Sequence, residues 1–267
     1  MESKVNVGND HFTQAKSATF YKNPYTYARV NDEWMIGDGT ENDANAVGGL
    51  DNCPKEIVFP GTLSSLEYPK PASVSIIGYS AFRNCGNISG RTVSIFIPKE
   101  VKIIQDRAFE FNYYVESFDI EAGSRLEVIG FGGIDSIGHN IDQSFWTASL
   151  ILPETVREVH YQGLWKSSLF AKVFYCGWTE LSNDSSLNND GGKAEIYVKS
   201  FYQYENALGY VPLKTEESYE EAEKTCRHHF TWPCKPQRCS CQNVNFILAS
   251  FFKTKLLVFI KIFLITK

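Results

Sequence analysis

Val74-Ser-Ile-Ile77-Gly-Tyr-Ser-Ala81-Phe82 returns as Val101-Lys-Ile-Ile104-Gln-Asp-Arg-Ala108-Phe109, with Val, Ile, Ala and Phe in the same order and at the same spacing. Recurrence of this kind marks a repeat architecture and takes precedence over local propensity. Weaker copies run from Leu126-Glu-Val-Ile129-Gly130 to Gly133-Ile134, and from Val156-Arg-Glu-Val159-His160 to Gly163-Leu164. In every copy a small residue and then a large one follow the aliphatic residue at a fixed distance. A larger side chain in place of Ala81, Ala108, Gly133 or Gly163 would hold neighbouring coils apart in a close-packed interior.

Each unit also carries a short alternating stretch that ends, in most copies, at a proline: Ile57-Val-Phe59-Pro60, Ile95-Phe-Ile97-Pro98, Phe118-Asp-Ile120 without the proline, and Leu150-Ile-Leu152-Pro153. Alternation with period two predicts a strand, and proline ends it because it has no N–H for the ladder. Val173-Phe-Tyr175 and Ile196-Tyr-Val198 continue the series. These stretches predict one short parallel strand per repeat. A unit this small cannot bury its own apolar face, so Ile95, Ile97, Val101, Ile104 and Phe109 are expected to form one layer of a stacked core, with roughly five or six coils in all.

Composition agrees. Aromatic residues make up 14% of the 267-residue chain, with 19 Phe and 14 Tyr beside 2 Met, a profile closer to a β-rich protein than to a helical bundle. The 26 Lys+Arg against 31 Asp+Glu leave a net charge of -5, which disfavours a nucleic-acid partner. The first ten residues hold no apolar stretch of the kind a secretory signal requires.

The pattern Ser73-Val74-x-x-Ile77-Gly78-x-x-Ala81-Phe82-x-x-Cys85, with an Ile-x-Ile-Pro strand beside it, resembles the BspA-like leucine-rich repeat of bacterial and protist surface proteins. The resemblance covers about residues 56 to 213. Within it, Gln105 replaces the expected Gly and Asn112 the expected Cys. Glu195-Ile-Tyr-Val198, followed by Phe201 to Tyr210, is similar to that family's closing strand and cap. The implied fold is α/β but β-rich: a right-handed leucine-rich-repeat solenoid with short parallel strands and irregular or short helical backs. The implied role is adhesion to host or matrix proteins at a cell surface, without catalysis or cofactor; an intracellular scaffold using the same face is the alternative. Fold alone does not fix function.

In an alternating strand the residues between core positions share the opposite face. Val58, Phe96, Asp119, Ile151, Phe174 and Tyr197 are therefore expected side by side on the concave face, as the site for a protein ligand. An exposed apolar strip marks a contact surface, although cross-strand pairing between β-branched and aromatic residues explains the same composition without a partner.

Other chemistry is weaker. Gly130-Phe-Gly132-Gly133-Ile-Asp135 fails as a dinucleotide loop, because Asp135 stands where the third glycine belongs. Asp38 to Gly49 lacks both the glycine and the closing glutamate of a calcium loop and reads as a solvated polar loop. His11, His139, His160, His228 and His229 lie in no nucleophile-elbow or zincin context. Asn87-Ile-Ser89 and Asn183-Asp-Ser185 fit the glycan acceptor pattern, which is frequent by chance.

Of the 7 Cys, Cys53, Cys85 and Cys176 stand alone, while Cys226, Cys234, Cys239 and Cys241 crowd together near His228 and His229. Zinc, disulfides and free thiols all remain open there, and no C-x2-C pair favours the metal. Residues 1–55 read as an irregular polar cap, 56–213 as the repeats, 214–242 as an acidic helix with the Cys-rich segment, and 243–267 as an apolar tail. The acidic helix runs from Thr215 to Lys224, with Ser218 and Glu221 spaced for a capping box. The tail from Phe246 to Lys267 is long enough to span a membrane, but Lys253, Lys255 and Lys261 interrupt it. A C-terminal anchor, a packed tail and an accidental extension all fit.

Overall fold

The computed structural model describes residues 19–229, apart from 23, 89, 143–146, 182–186 and 188–193. The chain is mostly strand and turn, with one α-helix among the described residues. Strands β1 (Thr19–Lys22), β2 (Tyr25–Val30) and β3 (Glu33–Ile36) form an antiparallel meander. After it come β4 (Glu56–Val58), β5 (Thr62–Leu63), β6 (Ala72–Ile77), β7 (Val93–Ile97), β8 (Ile103–Ile104), β9 (Val115–Ile120) and β10 (Val128–Ile129). The last elements are β11 (Ala148–Leu152), β12 (Glu158–Val159), β13 (Phe170–Tyr175), β14 (Glu195–Val198) and the helix α1 (Glu216–His229).

Two sets of parallel ladders run through the repeats. The first joins β3, β6, β8, β10 and β12, and its register places Ile36 beside Ile77, Ile77 beside Ile104, Ile104 beside Ile129 and Ile129 beside Val159. The aliphatic positions of the sequence repeat are thus equivalent layers of one core. The second set consists of the sheets β4-β7-β9 and β11-β13-β14. One strand per repeat is therefore a correction: each central layer contributes two. Three of the missed strands, β8, β10 and β12, are two-residue pairs such as Ile103-Ile104, too short for alternation to register.

The backs are irregular turns, and they too are bonded layer to layer. Phe82 N–H donates to Ala108 O at 2.8 Å, Phe109 N–H to Gly133 O at 3.0 Å, and Ile134 N–H to Gly163 O at 2.8 Å. Each layer meets the next through hydrogen bonds on three sides, which satisfies backbone groups that stacking removes from water. The small-residue column follows from this approach. A Cβ on Gly133 would lie 3.3 Å from Gln105 O of the preceding layer, and one on Gly163 would lie 3.3 Å from Gly130 O of the preceding layer.

Residues 1–55 are not an irregular cap where they are described. β3 continues the first parallel ladder, and the 3₁₀ turn Asn45–Val47 supplies a further back, with Ala46 N–H donating to Ala81 O at 2.9 Å. The Asp38 loop that precedes it is organised by the buried Asn45 side chain. Asn45 Nδ2 donates to Thr40 O at 2.9 Å and to Tyr79 O at 2.7 Å, while its Oδ1 accepts from Asp38 N–H at 3.1 Å.

The core is threaded by rings: Phe59 and Phe82 stack at 6.2 Å, Phe82 and Phe109 at 5.4 Å, and Phe118 meets both Phe109 and Phe170 edge-on. Disulfides Cys53–Cys85 and Cys176–Cys226 join segments 32 and 50 residues apart. Closing loops of that length stabilises a fold by about 3–4 kcal/mol each in the chain-entropy account. Cys53, Cys85 and Cys176 are therefore not solitary, and Cys226 pairs outside its local cluster. Cys234, Cys239, Cys241 and the Phe246–Lys267 tail lie outside the described residues.

Candidate functional site

The six residues expected on one face fall on consecutive strands in matching register, but in two sheets. Val58 pairs with Phe96 and Phe96 with Asp119 across β4, β7 and β9. Ile151 pairs with Phe174 and Phe174 with Tyr197 across β11, β13 and β14. β9 and β11 are neighbours, and in the core the Phe118 ring of β9 lies 6.0 Å from the Phe170 ring of β13.

The two halves differ in exposure. Val58 is 52% exposed and Phe96 36%, with Asp119 exposed beside them. Ile151 is half-buried, whereas Phe174 and Tyr197 are buried at 2% and 6%. Phe174 and Tyr197 are corrections to the exposed strip. They form a small cluster with Ala222 of α1, a helix that packs on β13 and β14, and their rings stack at 4.8 Å beneath it.

The local sequence explains where that helix begins. Ser218 N–H donates to Thr215 Oγ1 at 3.2 Å, and Thr215 N–H donates to Ser218 Oγ at 2.9 Å, a reciprocal cap. The Ser218–Glu221 spacing predicts a cap one turn later. With Thr215 in that role, Glu221 is free to meet the sheet, accepting from Lys172 Nζ at 2.7 Å. This hydrogen bond is the main reason the Lys172 ammonium is held above its ordinary pKa.

The open half is edged by acids. Glu56 and Glu116 are exposed with Asp119, Ser94 Oγ donates to Glu116 Oε1 at 3.3 Å, and Lys99 lies 3.9 Å from Glu121. The surface therefore offers an aliphatic and an aromatic anchor within a polar, acidic rim.

His139 Nδ1 lies 3.2 Å from Ser168 Oγ, and His160 Nε2 lies 3.5 Å from Glu158 Oε2. Among the described residues no group of three or more His, Cys, Asp or Glu is arranged to hold a metal. No helix among them is long and apolar enough to cross a membrane.

The most perturbed carboxyl lies in the back turns. Asp135 is 2% exposed, and burial pushes its carboxyl up to about 7 against the hydrogen bond donated by Ser136, with the Glu110 charge adding to the rise. Glu110 is itself held by Arg83, whose Nε lies 2.6 Å from Oε2. Unfolded, Asp135 would titrate near its ordinary 3.8, so between that value and about 7 the folded chain holds the extra proton. Stability then falls as pH rises through this window. Asp135→Asn, neutral throughout, is expected to flatten the pH profile and to be more stable than the parent at pH 8 by on the order of 2–4 kcal/mol. Denaturant titrations at pH 5 and pH 8 check this; an unchanged difference between the two would count against it.

No protein-family model and no curated protein matches the chain. Among solved structures it is similar, at 16% identity and a TM-score of 0.43, to a leucine-rich repeat protein from Bacteroides capillosus, covering 60% of this chain and 99% of that one. It is also similar to the pneumococcal vaccine antigen PcpA, at 16% identity and a TM-score of 0.48, covering 72% of this chain and 48% of that one.

Proposed function

We propose that the chain is a BspA-like leucine-rich-repeat solenoid that binds a protein ligand through the open half of its strand face, as an adhesion or recognition module displayed at a cell surface. The observation that carries this reading is the pair Val58 and Phe96, large apolar side chains exposed on adjacent strands whose other face is core. Such a strip is costly to leave in water, and an aromatic anchor with a polar rim is the usual anatomy of a binding hot spot. The two disulfides support an oxidising, exported environment over the cytosol, and with it a matrix or host surface protein as ligand. No catalytic step and no cofactor belong to this role.

Phe96→Ser tests it. The side chain sits on the exposed face, so melting temperature is expected to change little. Affinity for the matrix or host surface protein that the parent binds, measured from a panel of purified candidates, is expected to fall about tenfold or more. Equal binding by a folded Phe96→Ser protein would remove the face from consideration. A tagged copy found in the cytosol would overturn surface display.

A further inference from the structure

We infer that α1 is a latched cover: the Cys176–Cys226 disulfide, rather than the packing of the helix, holds it over Phe174 and Tyr197, and opening that bridge uncovers the second half of the docking face. The buried stripe of α1 is narrow. Ser218, Ala222 and Cys226 recur four residues apart, and only Ala222 among them joins the cluster with Phe174 and Tyr197. Tyr219 adds a half-buried contact with the main core.

The polar ties lie at the rim. Lys172 meets Glu221 with both side chains more than a third exposed, and Ser200 Oγ donates to Glu223 Oε1 at 2.9 Å. Exposed ties of this kind hold weakly. The helix is also poor on its own terms: it has 14 residues, and Glu216 faces Glu220 as Glu217 faces Glu221, like charges one turn apart. Against these stands one covalent link, from Cys226 near the helix end to Cys176, the residue that follows β13.

Removing the cover would expose two stacked aromatic rings beside the half-buried Ile151, in the same register that Val58 and Phe96 occupy on the open half. Both cysteines are fully buried, so a reductant reaches the bridge when the last turn of α1 frays. With a dithiol, one thiolate attacks a bridge sulfur to give a mixed disulfide, and its second thiol closes the reductant into a cyclic disulfide. Cys176 and Cys226 leave as thiols, having gained two electrons and two protons.

The latch stands on contacts within the chain; only the gain in ligand area rests on the docking reading above. Hydrogen exchange on the full chain tests it, comparing the oxidised parent, Cys226→Ser, and the parent reduced with dithiothreitol. The expected result is exchange of the α1 amides about 100-fold faster in both bridge-free forms. In Cys226→Ser, where Cys53–Cys85 stays closed, the β4-β7-β9 and β6-β8-β10-β12 ladders should stay protected, and an apolar dye should report new exposed surface. Protection of α1 within about threefold of the parent would overturn the proposal. So would loss of protection throughout both bridge-free forms, since the bridge would then hold the fold and not the cover. If α1 is released and affinity does not rise, the uncovered half is no part of the docking face and that part of the inference is overturned, whereas failure of the open-half reading itself is read separately from Phe96→Ser.

Discussion

Phe109→Ala is expected to cost about 3–5 kcal/mol of folding stability, the largest loss of any single apolar truncation in the central layers. Phe109 is fully buried; its ring stacks on Phe82 at 5.4 Å with planes 8° apart and meets Phe118 edge-on at 5.6 Å. Truncation therefore opens a cavity between successive layers and breaks the ring series that continues through Phe118 to Phe170. In a stack where each layer is stabilised by its neighbours, that cavity also weakens the coupling across it. At about 2–4 °C per kcal/mol for a chain of this size, the midpoint of melting should drop by about 10 °C. Tyr161→Ala, at a half-exposed ring, is the control and should stay within about 1 kcal/mol. Equal, small losses for both would mean that Phe109 does not bridge layers.

The parts of this fold that were legible are those where one layer copies the next. Ile77, Ile104, Ile129 and Val159 announce themselves because every copy must fill the same space. The register Val58–Phe96–Asp119 follows because alternation has a fixed period. The first layer was not legible: Trp34-Met35-Ile36-Gly37 does the work of Val74-x-x-Ile77-Gly78, but a loop separates it from Ala46 and hides the copy.

The back turns hid a second regularity. Ser80, Arg107, Gly132 and Gln162 share a left-handed backbone, as do Asn84, Phe111, Ser136 and Lys166, and only one of these eight is glycine. Non-glycine residues rarely adopt that conformation, and here inter-layer hydrogen bonds such as Ser136 N–H to Trp165 O at 2.7 Å hold it. The candidate site was half legible for a related reason. Strand patterning places Phe174 and Tyr197 on the correct face, but the helix that covers them docks through Cys176–Cys226 and Lys172–Glu221, long-range pairs with no local signal.

Asn112→Ala should be about as damaging as Phe109→Ala, through lost hydrogen bonds in place of a lost volume. The repeat pattern expects a small apolar cysteine at this position, yet Asn112 is fully buried and joins two layers. Its Oδ1 accepts from Gly86 N–H, while its Nδ2 donates to Phe82 O at 3.0 Å and to Phe109 O at 2.6 Å. Alanine would leave the Gly86 donor and the Phe109 acceptor unpaired in the core, while Phe82 O keeps Cys85 N–H at 3.2 Å; at about 1–3 kcal/mol each before relaxation, a loss of about 2–5 kcal/mol is expected. Asn112→Cys, the residue of the pattern, should restore part of the volume but not the paired donors, and fall between the two. Asn112→Asp sharpens the test. A carboxylate would face two carbonyl oxygens, so its pKa must rise, and the variant should gain stability as pH falls until the group is protonated and can donate once. Denaturant titrations of the three variants across pH 4 to 8 would decide the matter. Asn112→Ala within 1 kcal/mol of the parent, or an Asn112→Asp curve parallel to it, would mean that the amide does not tie the layers together.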